Sequence, residues 1–222
     1  CDEMASVYER LGDPGQAEIL CKGALAVYER LLGEDHPDTA AVYNNLAGIC
    51  MAQQRYEEAV DLYQKALTIY QKVFGEVDCN TAAVYNNLAG VHMEQGGYEQ
   101  AARLLRKTLS LREKITGVDQ METLTIYNNL AVVCEKRGKY REAESLGRKV
   151  LQIRERALGE MHPDTADSCA NPAIVCREAG KDQEAKELLL RALAVYEEIF
   201  GDGHPDTQAV RGELAAIEGA QS

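Results

Sequence analysis

The stretch TAAVYNNLAG at residues 39–48 returns unchanged at 81–90 and again as TLTIYNNLAV at 123–132, each time 42 residues further on. Looser copies, TADSCANPAI at 165–174 and TQAVRGELAA at 207–216, keep the same step, so one period governs nearly all of the 222-residue chain. A period of this length marks a repeat architecture, in which units too small to bury their own apolar faces stack on their neighbours. Modules therefore replace domains as the unit of counting. The chain reads as a single array over 1–222, with a partial unit at 1–33, full units at 36–75, 78–117, 120–159 and 162–201, and a capping helix at 204–219. Beginning at Cys1, partway through a repeat and without an initiator Met, it reads as a piece of a longer protein.

Within each module the punctuation is helical. Gly33, Gly75, Gly117, Gly159 and Gly201 each follow an apolar-periodic run, where a helix C-terminus calls for a residue that accepts positive φ. His-Pro-Asp-Thr follows at 36–39, 162–165 and 204–207, placing Pro in a first helical turn and an acid near the positive end of the helix dipole. A second glycine recurs at Gly12, Gly96, Gly138 and Gly180, with Gln54 in the remaining copy, and marks a tight turn between a helix A and a helix B. Helix A of the second unit carries Tyr43, Leu46, Ala47 and Cys50 at i, i+3, i+4 and i+7, a buried stripe, and its partner runs Tyr56, Ala59, Leu62, Tyr63, Ala66, Leu67 and Tyr70. Ala47 and Ala59 recur with the period, which lets the two helices approach closely. The pattern predicts about eleven helices, the first near 2–12 and the last near 204–219, where charged Arg211, Glu213 and Glu218 suit a terminal unit facing water. Pro172 stands where siblings carry Leu46, Leu88 and Leu130, so helix A of that unit is expected to kink near 168–172.

Composition narrows function. A formal charge of −12 disfavours nucleic acid and anionic membranes, whose binding needs a basic face. No run of 18 apolar residues and no basic-apolar leader occurs, as in a cytoplasmic chain. Of seven cysteines, Cys50, Cys134 and Cys176 hold one repeat position, with His92 in the slot between; recurrence in phase with the fold points to packed thiols rather than to a disulfide or a metal site. Phosphate loops, zinc-binding helices and nucleophile elbows are lacking from the sequence, so neither catalysis nor a cofactor is expected.

The Leu46-Ala47 pair in helix A, the glycine before the turn, Tyr56-Glu57-Glu58-Ala59 opening helix B and Ala66-Leu67 within it resemble the tetratricopeptide repeat. The 42-residue period, the Asn-Asn-Leu-Ala core and the Gly-x-x-His-Pro-Asp-Thr-Ala linker are more specifically similar to the repeats of kinesin light chains and nephrocystin-3-like proteins. The resemblance implies an all-α fold, a right-handed α-solenoid (superhelix) of antiparallel helix pairs, whose concave surface, lined by A helices, binds extended peptides. By helical spacing the stripe adjoining the buried one is Ala41, Asn44, Gly48 and Met51, then Ala83, Asn86, Gly90 and Met93, then Thr125, Asn128, Val132 and Glu135, then Asp167, Ala170, Ile174 and Arg177. Asn44, Met51, Asn86, Met93, Asn128, Glu135 and Arg177 are the candidate peptide-binding residues, the asparagines matching the family position where an amide holds peptide backbone. Lys and Arg are missing from 41–51 and 83–93, and only Lys136 and Arg177 bring positive charge to this surface, so the expected protein partner is apolar or basic rather than acidic. Rival readings are an architectural strut in a ciliary or cytoskeletal assembly, a groove filled by a segment of the same chain, and a signalling protein whose effector domain lies elsewhere.

Overall fold

A computed structural model describes residues 14–117 and 121–219, and among these it holds ten α-helices and no strand. In chain order they are α1 (Pro14–Leu32), α2 (Pro37–Ala52), α3 (Tyr56–Phe74), α4 (Cys79–Glu94) and α5 (Tyr98–Thr116). After a 3-10 turn at Met121–Thr123 come α6 (Leu124–Lys136), α7 (Tyr140–Leu158), α8 (Pro163–Glu178), α9 (Asp182–Phe200) and α10 (Pro205–Gly219). The helix expected near 2–12, with Gly12, lies outside the described residues. The chain forms two compact units, Cys1–Gly117 and Val118–Ser222.

The recurrent linker works as a set of hydrogen bonds. His36 Nδ1 accepts from Asp38 N at 3.2 Å, His162 Nδ1 from Asp164 N at 3.1 Å and His204 Nδ1 from Asp206 N at 3.3 Å, so the histidines cap α2, α8 and α10. Asp78 does the same for α4, accepting from Asn80 N and Thr81 N. The threonine that closes the motif is buried and reaches back over the turn. Its hydroxyl donates to the carbonyl of the preceding glycine, Thr39 to Gly33 at 2.8 Å, Thr81 to Gly75 at 3.2 Å, Thr165 to Gly159 at 2.8 Å and Thr207 to Gly201 at 3.0 Å. Those glycines sit at φ between 80° and 93°, where a Cβ is disfavoured. The inner turn glycines have φ near 70°, and Gln54 takes φ 61° in the one copy that lacks glycine.

Both units are cored by the expected stripes. In the first, Tyr43, Leu46, Ala47 and Cys50 of α2 are buried with Ala59, Leu62, Tyr63 and Ala66 of α3, and Val84, Leu88 and Val91 of α4 join them. In the second, Ala173 and Cys176 of α8 pack with Ala185, Leu188, Leu189 and Ala192 of α9 and with Val210, Leu214 and Ile217 of α10. Removing such side chains from water supplies about 1.5–3 kcal/mol for each large one.

At Pro172 the structure adds what periodicity missed. Helix α8 stays helical through Pro172, which is buried, although the missing N–H leaves the Ser168 carbonyl without its usual partner. The ring packs onto Gly147 of α7, where an added Cβ would stand 3.2 Å from Pro172 Cβ and 3.3 Å from its Cδ. Other repeats hold Cys21, Tyr63, Leu105 and Leu189 at the position of Gly147, so a residue with no side chain on α7 makes room for the proline ring on α8.

Candidate functional site

On the A helices of the first unit, α2 and α4, the candidate stripe is half-buried throughout. Asn44 is fastened within the scaffold: Asn87 of α4 donates from Nδ2 to Asn44 Oδ1 at 3.0 Å. Met51 leans into the notch left by Gly90, whose Cβ would meet the Met51 Cε at 3.5 Å, and a Cβ on Gly48 would meet the Tyr63 hydroxyl at 3.7 Å. These small residues therefore serve contact between helices as well as access to the face. Asn86 differs, because its Oδ1 is buried with no hydrogen-bond partner among the described residues. Leaving such a group unpaired costs about 1–3 kcal/mol, which an incoming N–H would recover. Met93 is half-buried beside it in sequence phase.

In the second unit Asn128 is half-buried on α6, and Glu135 lies 3.9 Å from Lys136. Arg177 is exposed on α8, but its guanidinium is held by Glu213 of α10, so the cation expected to serve a ligand is already compensated. The charges of the last helix lie in water and are paired there. Arg211 pairs with Glu197 and Asp202, each at 2.6 Å, and Glu218 with Lys186 at 2.5 Å, so these exposed charges of α10 also tie it to the residues before it.

A second set of polar contacts repeats in phase with the helices, beyond what apolar periodicity predicts. Tyr43 donates to Glu29 at 2.6 Å while Lys65 lies 5.3 Å from its ring centroid. Tyr85 accepts from Gln71 at 2.8 Å and from Lys107 at 2.6 Å, with the ammonium 4.1 Å from the ring. In the fourth repeat Cys169 replaces the tyrosine, and Arg191 pairs directly with Glu155. The signal was available as polar residues repeating in phase with the apolar ones. Burial and the Glu29 carboxylate push the Tyr43 phenol well above its ordinary range, so it stays a donor.

Among the described residues, Glu144, Cys176 and Glu184 bring ligand atoms within 4.8 Å of one another, a spacing that suits a metal. The two carboxylates are already neutralised. Lys181 Nζ lies 2.8 Å from Glu144 and 3.3 Å from Glu184, while Arg148 meets them at 3.0 and 2.6 Å. Burial pushes the Cys176 thiol up, away from the thiolate a metal requires. The group therefore fits an ionic clasp over a packed cysteine. Glu18, Lys22, Arg55 and Glu58 form its counterpart 126 residues earlier, in phase with Cys50. Lys22 and Arg55 hold the Glu18 carboxyl down to about 2.

Antiparallel A and B helices repeated at constant period, with a small-residue seam between them, define a tetratricopeptide-type α-solenoid. The chain belongs to the tetratricopeptide repeat family, whose model matches residues 2–72, 38–114, 80–156 and 122–198. Among solved structures it is similar to BtubC (BKLC) from P. vanneervenii, at 26% identity over 90% of this chain and 80% of that one, TM-score 0.78. A putative kinesin light chain with nearly identical repeats from Podospora anserina is similar at 26% identity over 88% of this chain and 93% of that one, TM-score 0.77. MamA shares the fold alone, at 16% identity over 86% of this chain and 93% of that one, TM-score 0.62. Among curated proteins none matches. Repeats of this family are general protein-interaction modules, typically non-catalytic, and no described helix is long and apolar enough to cross a membrane.

Proposed function

We propose that the chain is a non-enzymatic adaptor, cytoplasmic in setting, whose A-helix face takes an extended, apolar or basic segment of a partner protein. The observation that carries this reading is Asn86, with a buried and unpartnered Oδ1 on a half-buried stripe of small residues and methionines. A peptide N–H directed at Asn86 would satisfy it. Asn128 offers the same amide two donors and an acceptor without a side-chain bond of its own among the described residues. In the first unit Met93, on the same stripe as Asn86, gives an adaptable apolar contact, while in the second Glu135 favours a basic side chain. Asn44 and Met51 contribute less to a ligand than to the α2–α4 contact, and Arg177 contributes through Glu213.

The Asn87–Asn44 bond and the Met51–Gly90 contact favour a second reading, in which the stripe is an internal seam and the array is a strut. A peptide selected from a random displayed library against the protein separates the two. Under the adaptor reading Asn86→Ala with Asn128→Ala weakens that peptide by about 1–3 kcal/mol per lost buried group, at an unchanged melting temperature. Undiminished binding with a clear fall in melting temperature assigns the asparagines to the scaffold.

A further inference from the structure

The first unit carries another surface, lined by residues other than those of the asparagine stripe, that combines charge and exposed apolar area. A groove of about 670 Å³ opens along α3, lined by Glu34, Asp35, Glu58, Asp61, Lys65 and Tyr43 among others, four carboxylates against one ammonium. Glu58 is paired with Arg55 and Asp35 with Lys72, but Glu34 and Asp61 have no ion-pair or hydrogen-bond partner among the described residues. Where the groove meets the end of α3, the Lys72–Asp35 pair ties that helix to the loop that follows α1. Leu31 and Leu32 at the end of α1, and Val73 and Phe74 at the end of α3, flank this tie and are 46–69% exposed. These four large apolar side chains are left in water at the corresponding ends of two helices, one repeat apart.

We propose that this face of the first unit is a docking surface for a basic amphipathic segment of another protein. Apolar side chains of that segment cover Leu31, Leu32, Val73 and Phe74, while a Lys or Arg enters the groove to meet Glu34 and Asp61. Complementary charge selects the partner: the chain's −12 formal charge attracts a basic segment from a distance, and the carboxylates near the apolar ends set its register.

The test uses the whole chain and a synthetic amphipathic peptide of alternating Lys and Leu pairs, titrated by fluorescence anisotropy at near-physiological salt. Glu34→Lys with Asp61→Lys is expected to weaken binding at least about tenfold. Glu187→Lys with Glu198→Lys, exposed positions in the second unit that change net charge equally, should cost less than about threefold. Leu32→Ser with Phe74→Ser should also weaken binding, whereas Asn86→Ala with Asn128→Ala should not, so that failure of the A-helix reading is seen separately. Equal losses from the two charge-reversal pairs would reduce the interaction to net charge and overturn the proposal. So would insensitivity to the serine pair, or sedimentation showing that the exposed apolar ends are covered by a second copy of this chain.

Discussion

Gly147 and Pro172 are matched across the α7–α8 contact, and the match can be measured. A Cβ on residue 147 would stand 3.2 Å from Pro172 Cβ, closer than side chains ordinarily pack, so the proline ring must give way to anything larger than glycine. Gly147→Leu gains about 0.8 kcal/mol in helix propensity. It pays about 1–3 kcal/mol for overpacking a buried site, and a net loss is expected. Pro172→Leu restores the amide facing the Ser168 carbonyl and removes a residue that costs about 3 kcal/mol in a helix interior, so a net gain of about 1–3 kcal/mol is expected. The two changes together recreate the leucine pair that Leu189 and Leu214 form in the same unit, where both are buried in one cluster. The double variant should therefore exceed the sum of the singles by at least about 1 kcal/mol. Urea titrations followed by circular dichroism give the midpoints. Additivity within about 0.5 kcal/mol, or a stabilising Gly147→Leu single variant, would show that the two residues do not answer one another.

Two further outcomes follow from local geometry. Gln54→Gly should stabilise the first unit by about 1 kcal/mol, since it removes a side chain from the left-handed region that Gly96, Gly138 and Gly180 occupy in the other described copies, and an unchanged thermal midpoint would contradict the strain argument. The Glu18 carboxyl titrates near 2 when folded against about 4.5 for a free carboxyl, so its clasp with Lys22 and Arg55 contributes fully above pH 4.5 and is lost as pH falls toward 2. In thermal melts across that window Glu18→Gln should flatten the fall in stability relative to the parent; superimposable pH profiles would remove Glu18 from the account.

Much of this fold is written in the period itself. Helix ends at Gly33 and Gly75, starts at His36 and His162, and the buried stripe from Tyr43 to Cys50 all follow from local backbone preferences and a 3.6-residue repeat, which need only nearby residues. What stayed illegible depends on how one helix is offset against the next. Periodicity aligns Asn44 with Asn86, yet the bond runs from Asn87, one residue along, because side chains at a crossing meet diagonally. Nothing local in the sequence sets Gly147 against Pro172 or Glu213 across from Arg177. The candidate face was thus readable as a stripe, while the division of its residues between ligand and scaffold was set by contacts 36 to 43 residues apart in sequence.

The threonine clamp gives the array a grammar of its own. Because Thr39, Thr81, Thr165 and Thr207 each close onto a glycine six residues back, each of these four junctions is sealed by atoms from within seven consecutive residues, at the same phase of the repeat. A recombination between TAAVYNNLAG at 39–48 and its identical copy at 81–90 would remove or add 42 residues and still leave each remaining junction its own glycine and threonine. Chains of this kind can change length only in whole words, and a lineage can adjust the length of its array without first having to invent a new turn.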